Sequence, residues 1–281
     1  MGQYLATVRP EIAGEVATAF AAHDLLFDWH RFEIPFGEAC IKSFNIIMPG
    51  VNGAVSGSAT SNKTDFTFFL ARSVDGWAPP SLGTVNSAMN NAAGKVAFVG
   101  SRNHIVYERT IDASLMANPV TYTQGYHIFT DSAMNTSGGT QAVQFINSLQ
   151  PGGINIGNSK YPGNYNDSSS EPGMQSFWIG AITHGVHDFG TAALLNQGSG
   201  QAAVAKSTTS ETTLTLDGTA CNQVFSRGDK LAVGGDGAKI GTITEVVSAT
   251  SIKVDFVEEA LADNDEICVH NPIIFNFGIE Y

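Results

Sequence analysis

Charge is scarce in this chain: Asp, Glu, Lys and Arg make up only 14% of its 281 residues, well under the usual quarter. A surface so poor in charge must be polar through Ser, Thr, Asn and Gln, or be covered by neighbouring molecules, as repeated assembly would do. Basic residues are the scarcer kind, 14 against 26 acidic for a net charge of −12. No Lys/Arg cluster is present, which excludes direct nucleic-acid binding by phosphate neutralisation. The three cysteines, Cys40, Cys221 and Cys268, are odd in number and lack CxxC spacing, so neither a disulfide framework nor a zinc site is expected. No apolar run reaches the length of a membrane span. The start, MGQYLATVRPEI, has no basic segment leading into an apolar one and no Ser or Thr at its sixth position, so neither a secretory leader nor myristoylation is expected. A soluble protein made in the cytoplasm, without a membrane partner, is the expectation.

Helical periodicity is nearly absent. It shows only in residues 1–22, where Ile12, Val16, Ala19 and Phe20 follow Pro10 at roughly helical spacing. This predicts a short helix, or an N-terminal arm that orders against a partner, with Tyr4, Ile12, Val16 and Phe20 as its contact residues.

Most of the remainder reads as short strands separated by turn clusters. Residues 25–27, 33–36 and 40–48 begin the series; in the last, CIKSFNIIM, strict alternation puts Cys40, Lys42, Phe44, Ile46 and Met48 on one face. DFTFFLAR, residues 65–72, is dense enough in aromatic and aliphatic side chains to be an interior strand. Residues 95–99, 104–111 and 122–130 follow, then MQSFWIGAIT at Met174–Thr183 and a weak strand at 189–195. Residues 131–171 are rich in Gly, Pro and Ser, with a short helix or strand at 141–149; so long a connection marks a functional or interface loop. The series predicts an all-β fold, a jelly-roll-like β-sandwich.

Between residues 201 and 271 the spacing tightens. Lys230–Val233, 239–247, 251–257 and 266–269 are β-branched runs punctuated by Gly234-Gly235-Asp236-Gly237 and similar turns, the signature of a small barrel of hairpins. Residues 203–270 hold 11 acidic against 5 basic side chains, half of the net charge in a quarter of the length. The chain then closes on IIFNFGIEY, whose Ile273, Phe275, Phe277 and Ile279 share one face. An apolar strand of this kind belongs to the larger sheet, so the barrel is an insertion. The expected organisation is an arm at 1–22, a sandwich body at 23–200 and 272–281, and an inserted acidic barrel at 201–271.

Catalytic chemistry finds little support. His184-Gly185-Val186-His187-Asp188 offers two imidazoles and a carboxylate, but in an extended strand His184 and His187 point to opposite sides, so a turn surface is preferred over a metal site. No GxSxG elbow accompanies the serines. The pairs Glu258-Glu259 and Asp263/Asp265 lack apolar surroundings that would raise a carboxyl pKa, and Asp229/Asp236 do not have the spacing of an EF-hand. No catalytic residue, cofactor or metal is expected. Trp29, Trp77, Trp178, Tyr161 and Tyr165 could stack on sugar or anchor a protein interface. Trp178 belongs to a strong strand and is assigned to the core, whereas Trp77, Tyr161 and Tyr165 lie in loops and are the interface candidates.

The order LLFDWHRFEIP, ACIKSFNIIMPG, FTFFLARS followed by APPSLGTVNSA, and a terminal FNFGIEY resembles tailed-bacteriophage virion structural proteins, in particular capsid decoration or cement proteins. The insert GDKLAV…AKIGTITEVVSATSIKVDF is similar to small β-barrel modules of phage head and tail proteins. These patches cover about half the chain. The resemblance implies a non-enzymatic protein on the capsid surface, binding the major capsid protein in many copies as a homotrimer. The alternative is a tail, knob or fibre component that binds host-surface glycan through its loop aromatics.

Overall fold

The computed structural model describes residues 2–12, 19–35, 40–49, 64–74, 77–113, 126–132, 154–155, 174–187, 201–202, 213–217, 225–233, 238–255, 257, 261, 265 and 267–280. The expectations for residues 141–149 and 189–195, and those for Val16, Tyr161, Tyr165 and Cys221, fall outside the described residues.

In chain order the elements are β1 (Gln3–Val8), β2 (Leu25–Pro35), β3 (Cys40–Pro49), β4 (Phe66–Arg72), α1 (Ala92–Ser101), β5 (Ile105–Ile111), β6 (Tyr126–Ser132), β7 (Ile154–Asn155) and β8 (Met174–Thr183). They continue with β9 (Gln201–Ala202), β10 (Thr213–Asp217), β11 (Lys230–Val233), β12 (Ala238–Ser248), β13 (Ser251–Val254), β14 (Ile267–Val269) and β15 (Ile274–Glu280). One sheet runs β1-β15-β3-β6, with β7 also paired to β3; a second runs β2-β8-β4-β5; a third runs β14-β11-β12-β13-β10-β9. The fold is all-β, and the first two sheets face each other as a β-sandwich. Among the described residues no helix is long and apolar enough to cross a membrane.

Two hydrophobic clusters divide the molecule. The larger draws on residues from Ala6 to Ala181 and resumes at Ile273, Phe275, Phe277 and Ile279. The smaller runs from Leu214 to Val269 and fills the six-stranded sheet. Aromatic rings knit the sandwich: Phe275 meets Phe68 and Phe27 edge-on with centroids 5.5 and 5.9 Å apart, and Phe277 stacks on Phe32 at 5.8 Å. Such pairs add to the area that they bury. The closing strand therefore supplies the centre of a core whose other members precede the six-stranded unit in sequence.

The N-terminal segment corrects the arm reading. Residues 3–8 are not helical but form β1, an antiparallel partner of β15 from Gln3↔Glu280 to Val8↔Phe275. Ile12 and Phe20 are fully buried, so neither is available as a contact residue on an exposed arm. Their backbones are held as well, Ile12 N–H donating to the His270 carbonyl at 2.8 Å and Phe20 exchanging bonds with His187 at 2.7 and 3.0 Å. Pairing of β1 with β15 and burial of Ile12 and Phe20 place these described residues within the folded chain rather than on an exposed arm.

Two local readings also change. In β3 the buried side chains are Ile41, Phe44, Ile46 and Met48, while Lys42 lies on the other face and pairs with Glu280 at 2.8 Å. The cause is a bulge, since Ser43 is opposite Gly278 but Ile41, not Lys42, is opposite Ile279. An extra residue inverts the alternation on one side of it. Residues 95–99, expected as a strand, belong to α1. Its cap is local: the Asn91 side chain accepts from Gly94 N–H at 2.8 Å. Position 94 requires glycine, because a Cβ there would stand 2.5 Å from Met89 Cα.

All three tryptophans, Trp29, Trp77 and Trp178, belong to the sandwich, so tryptophan fluorescence reports on that unit. Phe275→Ala should lower its stability by about 3–5 kcal/mol in a urea titration followed by this signal. An effect below about 1 kcal/mol would contradict the assigned central role of Phe275.

Candidate functional site

The outward face of β4 and most of β8 is covered, which explains why β4 is buried on both faces, whereas Glu108 and Thr110 of β5 stay exposed. Chain from 78 to 104 crosses it. Leu82 is fully buried, and its N–H donates to Asp28 Oδ1 at 2.8 Å. The Trp29 indole N–H and the Ser101 hydroxyl both donate to the Pro80 carbonyl, at 3.0 and 2.9 Å. These bonds hold the C-terminal end of α1 beside β2. Phe98 then reaches down from α1 to meet Phe69 of β4 edge-on, with centroids 5.1 Å apart.

Between the helix and the sheet lies an open groove of roughly 580 Å³, a size typical of ligand pockets. Its walls are apolar, formed by Phe69, Met89, Phe98, Val99 and Ile182. Its floor carries a polar row: Thr110 Oγ1 lies 2.7 Å from Thr67 Oγ1, which lies 2.6 Å from His184 Nε2. Lys95 and Glu108 stand at its sides. The His184 pKa is lowered from 6.5, first by burial and then by the nearby His23, with Asp65 opposing. The two imidazoles meet edge-on at 5.8 Å.

The Thr67–His184 contact has the distance of a nucleophile and its base, but among the described residues no carboxylate bonds to the imidazole to orient it, as such a pair requires. Nor, among the described residues, does any group of three or more His, Cys, Asp or Glu side chains stand where it could hold a metal. The arrangement instead offers hydrogen bonds at the base of an apolar slot.

Trp77 is 70% exposed and sits three residues before Pro80. On α1, Val96 is 73% and Val99 50% exposed. Tyr4 is half-buried on β1, and Ile12 and Phe20 are buried, so of the described interface candidates Trp77 alone stands well out of the surface. Trp178 is buried, and His187 is buried away from the groove that His184 lines. The groove and α1 were missed because KVAFV is too short an apolar run to distinguish a helix from a strand. The signal that would have found the helix is Asn91 followed by Ala92 and Ala93, a cap before two strong helix formers.

Phe98→Ala should cost about 1–2 kcal/mol and selectively lower hydrogen-exchange protection in residues 92–101. Uniform loss of protection across the sandwich would show that Phe98 does not anchor α1 in particular. The His184 imidazole should titrate below 6.5 by NMR. Because its folded pKa lies below the unfolded value, its contribution to stability is intact above pH 6.5 and is lost as pH falls through the folded pKa. His23→Asn, which tolerates the φ of 72° at that position, should move the His184 titration upward; no movement would remove His23 as a cause.

No protein-family model matches the chain, and no curated protein matches it. Among solved structures, the cryo-EM structure of T=1 Penaeus vannamei nodavirus aligns over 100% of this chain and 98% of its own, with 7% identity and a TM-score of 0.18. Similarity this low does not establish a shared fold.

Proposed function

We propose that this chain is a non-enzymatic virion structural protein that decorates and stabilises an assembled phage capsid, docking on the major capsid protein through its sandwich. The observation that carries the reading is the exposed apolar surface of α1, where Val96 and Val99 both stand out and Val99 borders the apolar groove, with the exposed Trp77 on the loop that leads to Pro80. Apolar side chains grouped in this way mark interaction surfaces. The scarcity of charge accords with a surface covered by neighbours, and many weak contacts on a lattice combine into a strong attachment. The acidic six-stranded unit then projects away from the shell, and the protein associates as a homotrimer.

Because β1 and Ile12 are parts of the folded sandwich, truncating the first 22 residues tests folding rather than docking. The informative variants are on the surface. Val96→Asp and Trp77→Ala should each weaken co-sedimentation with preformed shells by on the order of tenfold or more, with the circular dichroism spectrum unchanged. Undiminished binding by both would sink the proposed docking face.

The second reading, a tail or fibre component that binds host-surface glycan, draws on Trp77 alone, whose exposed ring suits stacking on a sugar. It predicts saturable glycan-array binding that Trp77→Ala removes and Val96→Asp leaves intact.

A further inference from the structure

Residues 9–12 leave β1 and run along the base of the six-stranded unit, where three of the four grip it. Arg9 pairs through Nη2 with the Asp229 carboxylate and donates to the Asn271 carbonyl at 3.3 Å. The Glu11 carboxylate receives Lys230 on one oxygen and Lys239 on the other, the latter at 3.0 Å. Ile12 donates its N–H to His270 while its side chain is buried in the sandwich core. Pro10, between them, is buried. One short segment thus bonds to the start of β11, to β12 and to the chain leaving β14.

The socket that receives it is organised by the unit itself. The Asn271 side chain accepts from Lys230 N–H at 2.8 Å and donates to the Gly228 carbonyl at 3.1 Å. Asp229 also accepts from Ser226 N–H at 2.7 Å, which fixes the carboxylate that meets Arg9. Gly228 adopts a φ of +89°, and a Cβ there would come within 3.3 Å of the Arg9 guanidinium, so backbone conformation and space both favour glycine. The Arg9 and Asp229 side chains are only 18% and 7% exposed. Removing one member of so desolvated a pair leaves the other charge buried and uncompensated.

We propose that residues 9–12 are a strap that locks the six-stranded unit onto the sandwich, so that the two tumble as one body and the acidic unit points in a fixed direction. This holds whatever surface the sandwich docks on. The groups facing Glu11 are Lys230 and Lys239 from β11 and β12, His270 beyond β14, and His30 from β2. Burial alone would raise the Glu11 carboxyl, but the two lysines outweigh it and hold it at about 2. Its folded pKa is thus below the unfolded value, so its share of the strap is complete above pH 4.5 and is lost as pH falls toward 2. The strap stays shut in mild acid. His30, in the sandwich, is lowered first by burial and then by Lys230 across the junction, with Glu11 opposing.

The test is ¹⁵N relaxation of the full chain, comparing amides of Thr213–Asp217 and Ser251–Val254 with those of Phe66–Arg72. In the wild type the two sets should share one rotational correlation time. In the Arg9→Ala/Glu11→Gln double variant, and to a lesser degree in the near-isosteric Glu11→Gln alone, the six-stranded unit should tumble faster than the sandwich. Independent tumbling in the wild type, or a single correlation time in the double variant, would overturn the proposal. A second readout does not need the double variant to fold: Glu11→Gln removes the charge that raises His30, so its NMR titration must move further down, and an unmoved His30 also overturns it. Lys253→Gln, which breaks the exposed Lys253–Glu245 pair within the unit, should change neither measurement; release by that variant would refute the assignment to the strap.

Discussion

The packing of β15 between its neighbours is the contact on which the rest of this molecule depends. Phe275 and Phe277 meet Phe27, Phe32, Phe66 and Phe68 from the opposite sheet, and β1 and β3 flank the same strand on either side. Those partners all precede the six-stranded unit, so the sandwich core closes only after that unit has been traversed. Chain order therefore imposes a second constraint: the unit needs a core of its own, since its apolar residues cannot share one that is completed without them. The separate cluster from Leu214 to Val269 meets that need.

The two sheets of the sandwich are treated differently on their outward sides. Ile274, Asn276, Gly278 and Glu280 leave the outer face of β15 only partly covered. The outer face of β4 and β8 is buried beneath Trp29, Leu82 and the chain leading into α1. That cover is incomplete, because α1 is held by Phe98 and by Ser101 at its C-terminal end, while a groove remains open between it and the sheet. The apolar groove and the exposed valines of α1 have this common origin: a helix with apolar residues around most of its circumference cannot bury all of them against one sheet.

Electrostatics adds what the hydrophobic cores leave open. Neither cluster includes residues of the other unit, so apolar burial alone does not fix how the two are joined. Arg9, Glu11, Asp229, Lys230 and Lys239 supply directional contacts at that junction. In a chain with so few charges, five of them concentrated within one short stretch and its socket indicate where orientation is decided.

Much of this was legible in the sequence because β-structure writes itself in alternation. The closing strand showed its apolar face directly, and the dense β4 announced an interior strand. What alternation cannot express is an interruption in itself. The bulge at Lys42 inverts the faces of β3 without any change in composition, and KVAFV is as apolar in a helix as in a strand. The N-terminal segment shows the same limit: nothing in its local spacing marks residues 3–8 as the antiparallel partner of β15, or Ile12 and Phe20 as members of the core. The groove, with Thr67, Thr110 and His184 brought together from residues more than forty apart, has no sequence signature at all. By itself the sequence determined the all-β class and the apolar face of the closing strand, since each follows from local period. Only the tertiary structure decided where the N-terminal segment lies, which charges meet across the junction and where the sheet is left partly uncovered, because those depend on contacts between residues that sequence distance keeps apart.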